Sequence, residues 1–127
     1  MGYADRDYFR EGATRPPGRL AGAPVVKWLL WTNIGVFLVG VFLNWAATFG
    51  QLGAFTIREG LFGFQLWRLI TFQFLHANLG HLLFNSIAIY FFGAFVEQQL
   101  RSRAFLLFYL LCGVAGALGY GTLVSAS

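Results

Sequence analysis

The sequence predicts an all-α polytopic membrane protein with three spanning helices, one long connection and one short one. Three observations carry that prediction. Of the 127 residues, 57% are hydrophobic and only 11% charged, with a mean hydropathy of +0.63, whereas ordinary soluble domains carry roughly 25% charged residues. Three apolar runs are each long enough to cross a bilayer as a helix, since a ~30 Å hydrocarbon core needs about 20 residues. The basic residues gather in the connections that would share one side of the membrane. The length allows one domain.

Residues 1–24 are polar and hold Gly12, Pro16, Pro17, Gly18, Gly22 and Pro24. Such a composition predicts a mobile cytoplasmic arm preceding a domain over residues 25–127. The first span is expected over about 25–49, with Trp28 and Trp31 as interface anchors. At 1.5 Å per residue that run is about 37 Å long, which exceeds the h-region of a cleaved signal peptide. Residues 50–78 read as an external loop. Its segment LFGFQLWRLITFQFLH is apolar but carries Arg68 near its centre, too short and too charged to span. Short helices lying in or dipping into the membrane interface are expected there, packed against protein.

The second span is expected over about 79–96, a polar turn from Glu97 to Arg103 follows, and the third span over about 104–124. Gly113, Ala117 and Gly121 recur every four residues along the third span, a spacing that lets two membrane helices approach closely. The arm, Lys27 at the start of the first span, and the turn together hold seven of the nine basic residues. The positive-inside rule therefore puts the N-terminus in the cytoplasm and the long loop outside. Arg6, Arg10, Arg15, Arg19 and Lys27 fall in the first 27 residues, interleaved with Asp5, Asp7 and Glu11, so the +4 net charge is not a stripe on one folded face. That is an orienting signal and gives no nucleic-acid-binding face. Cys112 has no second cysteine to pair with and reads as a small packing residue.

His81 and Asn85 stand four residues apart inside the second apolar run, LGHLLFNSIAIYFFGAFV. At 100° per residue they share one helical face, and polar side chains at that depth mark a functional site by default. Both can donate hydrogen bonds to a developing negative charge. A pair that merely ties helices together, worth about 0.6 kcal/mol, fits the residues equally well. His76 and His81 are five apart, and no Cys, Asp or Glu is placed as a third ligand, so no metal site is expected and no residue pattern asks for a cofactor. Arg68 and Glu97 read as structural anchors, one ordering the loop and the other closing a helix end.

Residues WRLITFQFLHANLGHLLFNSIAIYFFGAFVEQQLRSRAFLLFYLLCGVAGALGY resemble the amino-terminal half of the rhomboid intramembrane serine proteases. Trp67-Arg68 matches the family's Trp-Arg pair in its first external loop. His76, His81 and Asn85 match its H-x4-H-x3-N pattern, and Gly93 to Glu97 matches the end of its second helix. The resemblance implies a six-helix bundle in which this chain supplies the first three spans. It gives His81 and Asn85 the role of oxyanion donors and His76 that of a structural tether near the site, with Trp67, Arg68 and Glu97 in supporting positions. It also implies membrane lipid and transmembrane protein substrates as partners, in a bacterial inner membrane.

The family's nucleophile is a Ser in G-x-S-G, and its base is a His on a later helix. Neither occurs in these 127 residues, whose serines are Ser86, Ser102, Ser125 and Ser127. The expectation is therefore the oxyanion half of an intramembrane peptide hydrolase, ending before the nucleophile and inactive alone. The alternative is a non-catalytic rhomboid-like protein that binds transmembrane segments.

Overall fold

The structure, a computed structural model, describes residues 17–44 and 53–125. Among these residues the chain is helical, with no strand. Helix α1 is Pro24–Phe42, the short α2 is Arg68–Thr71, α3 is Leu79–Leu100, and α4 is Ser102–Ser125. Helices α1, α3 and α4 are long and apolar enough to cross a membrane.

Pro24 opens α1 at a position where its missing N–H costs nothing. The helix ends at Phe42, and Asn44 takes a left-handed φ of 51°, a conformation Asn tolerates better than most residues. The span is thus shorter than the 25–49 read from hydropathy, and residues 45–49 lie outside the described residues. At 1.5 Å per residue, 19 helical residues make about 28 Å, already close to a hydrocarbon core. Ahead of the helix, residues 18–23 form turns, and Arg19 lies over the Phe91 ring at 4.7 Å.

Helix α3 continues four residues past its expected end. The polar run Glu97-Gln98-Gln99 resembles a turn in sequence, yet it is helical, and only Arg101, at φ 67°, breaks the chain between α3 and α4. Its polarity is consumed by partners. Glu97, 1% exposed, accepts from the Val25 and Val26 amides at 3.0 and 2.8 Å and from the Ser102 hydroxyl at 2.6 Å. Gln98 donates to the Arg19 and Ala21 carbonyls, both at 3.0 Å. A carboxylate on the first amides of α1 satisfies orphan donors and meets the positive end of the helix dipole.

Next to this clamp sits the core of Ala23, Val26, Leu29, Ile89, Ala94 and Phe105. Gly93 is its junction: a Cβ there would lie 3.2 Å from Val26 and 3.4 Å from Phe105. Between Ile89 and Gly93 helix α3 makes a π turn, which rotates the His81 half of the helix relative to the Glu97 half.

Two packing expectations are corrected. The Gly113–Ala117–Gly121 stripe meets the long loop at its two glycines. The Gln73 side chain fills the space beside Gly113, and Ile57 lies against Gly121. The small residues admit the long loop, whose irregular backbone needs a protein surface at this depth. Cys112 is exposed on α4 instead of packed inside. Trp28 and Trp31 are both exposed, and Trp28 meets the edge of Phe74.

Candidate functional site

The loop before α3 is built around Arg68. Buried to 4% exposure, its guanidinium donates to Gln65 Oε1 at 2.6 Å and to the Ala54 carbonyl at 2.7 Å, and it pairs with Glu59 at 3.1 Å. The planar fork can serve several acceptors at once. Thr71 adds a bond to the Gly53 carbonyl at 3.1 Å, so both ends of the 53–71 segment are tied. Trp67, by contrast, is more than half exposed. A 3-10 turn, Phe72–Phe74, then leads into extended backbone at Leu75. Asn78 caps α3, its side-chain oxygen accepting from the His81 amide at 2.9 Å.

This extended exit brings His76 back over the first turns of α3. Its Nδ1 faces the Phe74 carbonyl at 3.2 Å, and its Nε2 faces Asn85 Nδ2 at 3.0 Å. A carbonyl can only accept, so Nδ1 carries the proton and Nε2 accepts from the Asn85 amide. The His81 ring meets the His76 ring edge-on, with centroids 5.3 Å apart. Burial, then the neighbouring His81, push the His76 pKa below the ordinary histidine value, against a smaller opposing effect of the Phe74 carbonyl. His76 is therefore neutral, as its acceptor role requires.

Beside the pair opens a cavity of about 640 Å³. Val36, Phe37, Gly40 and Val41 of α1 and Gly116, Ala117 and Tyr120 of α4 form its apolar walls; His76, Asn78 and His81 supply its polar edge. Nothing lies within 4 Å of where a Cβ on Gly40 or Gly116 would stand, so both walls are open to close backbone approach.

The structure thus joins three of the residues singled out in the sequence. The contact is His76 to Asn85, nine residues apart, in addition to the shared face of His81 and Asn85. Helical spacing could not show it, because His76 is not on the helix. Arg68 and Trp67 stand apart in the loop scaffold, and Glu97 lies twelve residues from Asn85, about 18 Å along α3. Sequence reasoning passed over Gln73, which bridges the Leu69 and Leu110 carbonyls at 2.9 and 3.3 Å. It also missed Asn78, although an Asn three residues before His81 is an N-cap signal. Among the described residues no group of three His, Cys, Asp or Glu could hold a metal ion.

The family model described as Rhomboid domain matches residues 63–127. The chain is 42% identical over 54 residues to the rhomboid protease GluP of Bacillus subtilis, covering 42% of this chain and 11% of that protein. It is 36% identical over 73 residues to the mitochondrial RHOMBOID-like protein 6 of Arabidopsis thaliana, covering 58% and 24%. It is 30% identical over 73 residues to the inactive RHOMBOID-like protein 8 of the same plant, covering 58% and 21%. The chain spans less than a third of the length of the curated relatives it matches. No solved structure matches it.

Proposed function

The chain belongs to the rhomboid family, and on that premise we propose that His81 and Asn85 are the oxyanion donors of an intramembrane peptide-hydrolysing site. The observation that carries this reading is the Asn85–His76 hydrogen bond beneath the His81 ring. His76 takes one N–H of the Asn85 amide and leaves the second free. That N–H and an N–H of His81 would converge on the oxygen of a tetrahedral intermediate, where fixed donors act most strongly. His76 is then a positioning residue: as a neutral acceptor it sets the amide's orientation. A serine nucleophile and its base would come from outside these 127 residues, on a helix seated in the cleft between α1 and α4. Gly40 and Gly116 give that helix room, and the much greater length of the relatives is compatible with it.

Peptide bonds in or beside transmembrane helices of protein substrates are the substrate class, and lipid is the surrounding partner. The basic arm and the α3–α4 connection support a bacterial inner-membrane protein with a cytoplasmic N-terminus. Topology reporters fused after Leu20, Gly60 and Leu100 should read inside, outside and inside; an external signal after Leu100 reverses the orientation.

The catalytic test joins these residues to the carboxy-terminal half of an active rhomboid and follows cleavage of a transmembrane substrate. His81→Ala should lower turnover by about 10²-fold or more, and Asn85→Ala by less, since one lost donor typically costs 10²–10³. A second reading, a non-catalytic protein that binds transmembrane segments, is favoured by the likeness to inactive RHOMBOID-like protein 8. Binding of a transmembrane peptide by the chain alone, unchanged by His81→Ala, would support it.

A further inference from the structure

Asn33, in the middle of α1, is fully buried, and neither atom of its side-chain amide is in hydrogen-bond geometry with a partner. The Ser86 hydroxyl on α3 and Gln73 Oε1 in the loop are likewise buried and unpartnered. Buried polar atoms are rarely left so, because each forfeits its bonds to water.

The register of the helices brings these groups to one depth. Val26 and Phe105 meet at Gly93, where α1, α3 and α4 come together. About two turns, or roughly 10 Å, from that junction toward the loop, α1 reaches Asn33, α3 reaches Ser86 and α4 reaches Cys112. Gln73 enters at the same level: its amide nitrogen donates to Leu110, and its side chain fills the space beside Gly113. Tyr109, on α4 just below, brings its hydroxyl within hydrogen-bonding reach of the Asn33 side chain, which leaves the rest of that amide for water.

We propose that Asn33, Ser86 and Gln73 form an internal hydration site holding one or two water molecules between α1, α3, α4 and the loop. The inventory suits water: Asn33 Nδ2 and the Ser86 hydroxyl donate, and Asn33 Oδ1 and Gln73 Oε1 accept. Internal waters typically make about three such bonds to otherwise unsatisfied groups. A water here links Gln73, three residues before His76, to Ser86, the neighbour of Asn85. It is the polar layer on which the His76–Asn85 pair rests. The site does not depend on the catalytic reading of that pair.

The test uses the full chain in lipid nanodiscs with ¹⁵N-labelled asparagine side chains. Magnetisation transfer from water to the Asn33 amide, with the sign of a long-lived contact, is expected and should vanish in Ser86→Val. Thermal unfolding adds a second readout. Asn33→Leu and Ser86→Ala should each lower the melting temperature, and the double variant should lose clearly less than the sum, because both remove the same water. No water contact at the Asn33 amide would overturn the proposal. So would a melting temperature that rises additively with each apolar replacement, the outcome for polar groups buried dry.

Discussion

The two ends of this small bundle treat their polar groups in opposite ways. At the Glu97 end, a carboxylate with two oxygens serves three donors, and Ala23, Val26, Leu29 and Ala94 close around it with no exposure. At the His76 end, three polar side chains surround a cavity, and their hydrogen-bonding capacity is only partly used. A saturated polar group fixes backbone and has no bond left for a ligand. A group held by one bond, with another donor free, is positioned and still available. The same helix, α3, carries both kinds, and the π turn at Ile89–Gly93 stands between them.

The sharpest way to break the contrast is at Glu97. Glu97→Ala leaves two amides at the start of α1 and the Ser102 hydroxyl without their acceptor, and a loss of about 3 kcal/mol or more is expected. Glu97→Gln keeps one acceptor oxygen and should lose less. Thermal unfolding in detergent measures both, and an Ala variant that melts like the parent would refute the clamp.

Arg68 comes next. Arg68→Lys retains the charge but not the fork, so the bonds to Gln65 and Ala54 cannot all be kept; about 1–3 kcal/mol is expected, confined to the loop. Hydrogen exchange should accelerate over residues 53–75 while α1 and α4 stay protected. Equal acceleration in the spans would show that the loop is not a separate unit.

The smallest effect is a pH dependence at the open end. The His76 pKa is depressed in the folded protein, so its contribution to stability is fully present above the ordinary histidine pKa of about 6.5. It is lost as the pH falls from there through the lower folded value, because the unfolded chain then binds the extra proton. The melting temperature should decline over that window. His76→Gln should flatten the decline, and an unchanged slope would remove His76 as its source.

Much of this contrast was legible in the residues. Hydropathy located three spans because lipid demands long apolar runs, and it placed the start of α3 at Leu79, where Asn78 caps the helix. It misjudged where helices stop. Phe42 and Leu100 are ends set by positive-φ backbone at Asn44 and Arg101, and the polar run after Val96 stays helical because Glu97 and Gln98 find partners, so neither end follows the loss of apolar character. The four-residue spacing of His81 and Asn85 held the shared face, since the helix is regular there. The His76–Asn85 bond was hidden because it depends on the extended backbone at Leu75, a loop conformation with no period to read. The glycine stripe on α4 was visible as a close approach, but spacing alone could not tell a helix from a loop as the partner.

The central claim is that function resides at the His76 end and the Glu97 end only supports it. One measurement tests this most directly: turnover and melting temperature of His81→Ala and Glu97→Gln, taken side by side in the spliced protease. The account predicts that His81→Ala melts like the parent and cleaves about 10²-fold more slowly, while Glu97→Gln melts earlier and, below its transition, cleaves at nearly the parental rate. A well-folded His81→Ala with unaltered turnover would contradict it.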